Sequence, residues 1–119
     1  MVKVLVVDDD FASLGTLCNM LRTCGNTVDM SPSAQNAIQR LSTTTYDVIF
    51  LDYNMPTHNG VWFMRNAGVP PDTAVILVTG FADPVALSDF RRLGIEVVIE
   101  KPFTLVAIQG CLKGVLNAA

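Results

Sequence analysis

Five side chains able to do ionic or nucleophilic chemistry stand at the ends of apolar runs in this sequence. Asp8 and Asp9 close the run VLVV, Asp52 closes VIFL, Thr79 closes VILV, and Lys101 follows VVIE. Open α/β sheets place their ligand sites at the carboxyl ends of strands, so these interruptions mark one rim. If the strand order is the common 2-1-3-4-5, the first and third runs are neighbours at the switch point, with the fourth and fifth beside them in turn. With strands about 4.8 Å apart, Lys101 starts about 10 Å from Asp52, and its long stem can lean across the fourth strand.

Three carboxylates on one rim repel, and the repulsion pushes at least one pKa upward unless a cation is present. A hard divalent cation resolves this. Two carboxylates, a backbone carbonyl, waters and an incoming phosphate oxygen make the open oxygen shell that Mg²⁺ prefers. Asp52, ionised between metal and Lys101, then suits a carboxylate nucleophile that forms an aspartyl phosphate. Most of the catalysis in such a transfer is positioning and neutralisation of the equatorial oxygens, shared here by the metal, Lys101 and the Thr79 hydroxyl. Taken singly, each residue has a plainer reading. The acidic pair could be a solvated strand end, although Asp10 suits the cap role better. Lys101 could be one more solvated lysine, and Thr79 a β-former with a satisfied hydroxyl. Their convergence is what favours the chemistry.

The elements that must position these groups are short β-rich runs alternating with amphipathic helical stretches, a pattern of βαβ units and a parallel sheet. The predicted strands are Lys3 to Val7, Asn26 to Met30, Asp47 to Leu51, Ala74 to Val78 and Ile95 to Ile99. Runs one, three and four are continuously apolar, as for strands covered on both faces. The second carries Asn26, Thr27 and Asp29 and reads as an edge. The first helix presents Leu14, Leu17, Cys18, Leu21 and Cys24, and Gly25 stops it. The second begins at Ser31 or Ser33 with Pro32 in its early turn, and presents Ala34, Ala37, Ile38 and Leu41. Val61 to Ala67 is a short third helix. Asp83 is a natural cap for a fourth, with Pro84 at its first position, running through Leu87, Phe90 and Leu93 to Gly94. Thr104 opens a fifth, which carries Leu105, Ile108, Leu112 and Val115.

A chain of 119 residues fits one domain, taken as 1–119. Eight basic and 11 acidic residues give a net charge of −3, so the basic stripe needed for nucleic-acid backbones is missing and direct nucleic-acid binding is not expected. Only 16% of residues are charged and half are hydrophobic, which leaves apolar surface for partners. The apolar run from Val4 is too short for a signal peptide or a membrane span, so a cytoplasmic location is expected, with no membrane partner. Cys18, Cys24 and Cys111 lack C-x-x-C spacing and read as reduced, small apolar residues.

The segments VLVVDDD, VIFLDYNMPTHNG in the pattern L-D-x-x-M-P-x-x-x-G, ILVTG and EKPF occur in order along the chain. As a set they resemble the receiver domain of two-component response regulators, in its chemotaxis-receiver-like form, across essentially the whole chain. The resemblance implies a flavodoxin-like (βα)5 fold with a doubly wound five-stranded parallel sheet of order 2-1-3-4-5. It also implies that Asp52 is the phosphoacceptor. Asp8 and Asp9 would hold Mg²⁺ with Asp52, Asn54 would add a backbone carbonyl ligand, Thr79 would contact the phosphoryl group, and Lys101 would pair with it. Pro102 would follow Lys101 through a cis peptide. The implied phosphodonor is a histidine kinase or a histidine phosphotransfer protein. The implied output is a partner, or a second copy of the chain, at the face of the fourth helix, fifth strand and fifth helix. Such a domain assists its own phosphorylation and autodephosphorylation and is not an enzyme acting on an outside substrate.

The chain departs from the family at Val98, where a Tyr or Phe that swings inward with the Thr hydroxyl is usual. That coupling cannot run in its usual form, and Phe81 is a candidate to shield the phosphoryl group or take over part of the signalling. His58 reads as a solvated loop residue, since no second ligand or base lies near it in sequence. Trp62 reads as a partner anchor or as edge packing. Gly110 and Gly114 leave a flat stripe on the fifth helix, open to a partner helix or to relaxed surface selection. Two other functions remain open. A magnesium-dependent aspartyl-phosphate phosphohydrolase usually needs an acid two residues after the nucleophile, where this chain has Asn54. A phosphate-independent interaction module would not need the intact acids, Thr79 and Lys101, though Val98 suits it.

Overall fold

The computed structural model describes residues 2–53, 55, 59–80, 84–95 and 97–116. The expectations for Asn54, His58, Phe81 and Asp83 fall outside that set. Strands β1 (Lys3–Val7), β2 (Thr27–Ser31), β3 (Val48–Asp52), β4 (Ala74–Thr79) and β5 (Val97–Glu100) alternate with helices α1 (Phe11–Thr23), α2 (Ala34–Leu41), α3 (Gly60–Asn66), α4 (Pro84–Arg92) and α5 (Leu105–Leu116). The five strands form a parallel sheet in the order β2-β1-β3-β4-β5. This is the doubly wound architecture expected from the run pattern, with the polar second strand at an edge.

Strand periodicity divides the core between the two faces of the sheet. Val4, Val6, Val48, Phe50, Ile76 and Val78 pack with Leu14, Leu17, Cys18 and Leu21 of α1 and with Ile108 and Leu112 of α5. Leu5, Val7, Ile49, Leu51 and Leu77 face the other way, onto Ala34 and Ala37 of α2, Phe63 of α3 and Phe90 of α4. Each large side chain taken out of water in this way contributes about 1.5–3 kcal/mol. Trp62 is half-buried and packs at the margin of the second cluster, as edge packing requires. The three cysteines are free.

Several element ends differ from the sequence reading because side chains take over backbone bonding. Asn26 lies outside β2: its side chain accepts from the Val2 amide at 3.2 Å and donates to the Leu21 carbonyl at 3.1 Å. Asp47 lies outside β3 and accepts from the Lys3 amide at 2.8 Å. Helix α2 starts only at Ala34, capped by the Ser33 hydroxyl on the Asn36 amide, so Pro32 precedes the helix and Ser31 ends β2. Helix α3 starts one residue early, capped by Asn59 on the Trp62 amide. β5 is shorter than expected, because the Ile95 amide bonds the Phe90 carbonyl and completes the turn out of α4. Asp10 caps α1 through the Ala12 amide and the Ser13 hydroxyl, and Gly25, at φ 88°, ends the turn behind it.

Gly110 and Gly114 are exposed on α5, and a methyl group at either would meet nothing within 4 Å. Replacing both by Ala should raise stability by about 0.5–1 kcal/mol each, since helix formation would cost less backbone entropy. Urea denaturation of the double variant checks this. An unchanged or lower midpoint would mean that the glycines relieve a strain on α5.

Candidate functional site

The rim forms because β1, β3 and β4 end side by side. Val7 pairs with Leu51, Asp52 with Val78, and Thr79 with Glu100. Asp8 and Asp52 are therefore delivered from adjacent strands, and both are almost fully buried, at 3% and 5% exposure. Asp9 is half-buried beside them. Each of the three offers a carboxylate oxygen, and these atoms all lie within 4.8 Å of one another. Asp8 is fixed from both sides: its amide bonds the Ser31 carbonyl, and its Oδ1 accepts from the Asp10 amide at 2.9 Å.

Lys101 enters from the end of β5, where its amide donates to the Thr79 carbonyl at 2.7 Å and continues the ladder beyond Glu100. The Lys101–Pro102 peptide is cis. The ammonium reaches across the rim as the stem length allows, but its nearer partner is Asp8, at 2.9 Å to Oδ2, against 3.4 Å to Asp52 Oδ1. Sequence reasoning aimed this lysine at Asp52 and missed the tighter bond, which depends on how far β1 projects onto the rim. Thr79 is buried at the end of β4.

Electrostatics set Asp52 apart. Burial pushes its carboxyl up to about 6, the Asp8 charge adds to the rise, and the Lys101 charge and hydrogen bond only partly offset it. Burial alone would pull the Lys101 ammonium down, yet its hydrogen bond to Asp8 and the charges of Asp52 and Asp8 together hold it above the ordinary value. The rim thus carries more negative charge than its single lysine neutralises. An all-oxygen donor set of this kind, with one side reachable from solvent through Asp9, fits a hard divalent cation such as Mg²⁺.

Two neighbours of the site carried no assigned role in the sequence, although Gly60 closes the L-D-x-x-M-P-x-x-x-G pattern. Tyr53, next to Asp52, packs its ring edge-on against Phe90 of α4, with centroids 5.3 Å apart and planes at 83°. Gly60, at the start of α3, sits in a tight place: a Cβ would lie 3.1 Å from the Phe90 ring and 3.4 Å from the Asp52 carbonyl oxygen, close enough that the ring would have to give. The signal available in the sequence was an aromatic residue directly after the acid and a glycine at fixed spacing behind it. Val98 is half-buried on β5, opposite Leu77, and packs against the same cluster as Phe90.

Comparison with known proteins agrees with this architecture. The family described as response regulator receiver domain matches residues 4–113. A probable chemotaxis protein CheY of Rhizobium etli is 26% identical over 121 residues, covering 98% of this chain and 94% of that one. The two-component response regulator ARR12 of Arabidopsis thaliana is 32% identical over 85 residues, which is 70% of this chain and 14% of the longer protein. Among solved structures, the chemotaxis protein CheY4 of Vibrio cholerae superposes with a TM-score of 0.90 at 24% identity, covering 97% of this chain and 98% of that one. The backbone likeness shows the fold, and the family match spans the whole rim: this chain belongs to the response regulator receiver domain family and is a phosphoacceptor signalling domain of two-component systems.

Proposed function

We propose that Asp52 is the phosphoacceptor and takes its phosphoryl group from a phosphohistidine of a sensor kinase or phosphotransfer protein. The observation that carries this reading is the Asp8, Asp9 and Asp52 oxygens gathered within 4.8 Å, with the Lys101 ammonium on two of those acids. A carboxylate oxygen of Asp52 attacks phosphorus, the P–N bond of the donor breaks, and its electron pair returns to the imidazole nitrogen. Lys101 and the Thr79 hydroxyl take up negative charge on the transferred oxygens. Asp8, Asp9, Asp52 and the Asn54 carbonyl would hold Mg²⁺. When bound, the cation supplies neutralisation of the carboxylate and phosphoryl oxygens.

Phosphorylation then biases a two-state equilibrium at the α4–β5–α5 face, which binds an output partner or a second copy. Val85 and Val106, on α4 and α5, are 70% and 78% exposed, which supports an apolar docking face there. With Val98 offering no ring, the switch uses other groups, Phe81 among them. The chain assists its own phosphorylation and dephosphorylation and turns over no outside substrate. Among the described residues no helix is long and apolar enough to cross a membrane, and a cytoplasmic setting with the kinase accompanies this reading.

Incubation with Mg²⁺ and radiolabelled acetyl phosphate tests it. The wild-type chain should take up close to one label per molecule, and Asp52→Asn less than about a hundredth of that. Label retained by Asp52→Asn would place the acceptor elsewhere. Steady release of phosphate from small esters would instead point to a phosphohydrolase.

A further inference from the structure

Helix α4, like α3 with Phe63, is held to the fold by one fully buried large side chain among its described residues. Helix α1 buries Leu14, Leu17, Cys18 and Leu21, whereas Phe90 is the one fully buried side chain among the described residues of α4. The Phe90 carbonyl also ends the helix, accepting from the Leu93 and Ile95 amides at 3.0 Å each. Leu87 is only half-buried against the same cluster, and an element with few fully buried side chains lies toward the low end of the local stability range and can shift as a unit.

The Phe90 ring rests on Tyr53, the residue that follows Asp52. Tyr53 is tied by its backbone in two directions. Its amide donates to the Val78 carbonyl at 3.0 Å, and its own carbonyl accepts from the Gly60 amide at 3.2 Å. A methyl group at Gly60 would crowd the Phe90 ring at 3.1 Å and touch the Asp52 carbonyl at 3.4 Å. The end of β3, the start of α3 and the anchor of α4 therefore meet at one close-packed point. Close-packed contacts pass displacement on rather than absorb it. A change of charge and bulk on Asp52 that moves the end of β3 must be accommodated at Tyr53, and the Phe90 ring is what Tyr53 pushes against.

We propose that the Tyr53–Phe90 ring contact transmits the state of Asp52 to α4. The proposal rests on the reading of Asp52 as phosphoacceptor and adds to it the route by which one helix responds. Tyr53 and Phe90 act through packing, so they are positioning residues rather than part of the phosphoryl chemistry.

Hydrogen exchange at the amides of residues 84–92, with and without beryllofluoride plus Mg²⁺, tests this in the whole chain. In the wild type the mimic should change α4 exchange by about fivefold or more. Tyr53→Phe keeps a ring and should keep that response. Tyr53→Leu and Phe90→Leu should reduce it to less than about twofold while still binding the mimic. Should Phe90→Leu fail to fold, the two Tyr53 variants decide. Their exchange without the mimic should agree within about twofold, and a collapse of α4 protection in Tyr53→Leu would overturn the coupling in favour of plain packing. A full α4 response in Tyr53→Leu, or a wild-type chain that binds the mimic with no response at α4, also overturns it. A wild-type chain that binds no beryllofluoride overturns the phosphoacceptor reading itself.

Discussion

Without divalent metal, Asp52→Asn should be more stable than the wild-type chain at pH 8, by about 2–3 kcal/mol. The acid is 5% exposed and its pKa is pushed up to about 6 from the ordinary 3.8, chiefly by burial and then by the Asp8 charge. Below the ordinary value the carboxyl is protonated in both folded and unfolded chains, and it contributes nothing to the pH dependence. Between 3.8 and about 6 the folded chain binds more protons than the unfolded one, so wild-type stability falls as pH rises. Above about 6 the whole penalty is present. The asparagine escapes it and can still accept a hydrogen bond from Lys101. The gap should therefore be widest at pH 8 and vanish near pH 4. At this chain length it corresponds to a melting difference of about 8–12 °C. Thermal melts in a chelator at the two pH values measure it, and a wild type that outlasts Asp52→Asn at pH 8 would mean that Lys101 more than compensates the buried charge.

The second large effect concerns Asp8. Because Asp8 is buried, fixed by the Asp10 amide and within reach of the other two acids, Asp8→Asn should lower Mg²⁺ affinity by about 100-fold or more. Ligand that binds only the folded chain raises stability by mass action, by about 2.7 kcal/mol at a hundredfold excess over the dissociation constant. Wild-type melting temperature should thus climb steadily with MgCl2, while Asp8→Asn stays nearly flat over the same range. A variant that responds like the wild type would remove Asp8 from the metal site.

Much of this molecule was legible in its residues. Continuous apolar runs identified β1, β3 and β4 because a strand covered on both faces needs no polar alternation. The polar residues closing those runs located the rim. Element ends were less legible, since Asn26 and Asp47 carry strand-like neighbours yet spend their side chains on the Val2 and Lys3 amides. The preference of Lys101 for Asp8, and the meeting of Tyr53, Gly60 and Phe90, depend on how strands and helices cross in space. No period in the sequence encodes those crossings.

The Lys101 amide is bound to the Thr79 carbonyl on the sheet while its ammonium sits 93 positions along the chain from Asp8. Its backbone is anchored, and only the methylene stem has to turn. With Asp8 at 2.9 Å and Asp52 at 3.4 Å, the cationic head can exchange one oxygen partner for the other by a change of stem rotamer. Redistribution of charge among the rim oxygens therefore needs no unpairing of strands, and the β4–β5 ladder can hold its register while the end of β3 adjusts.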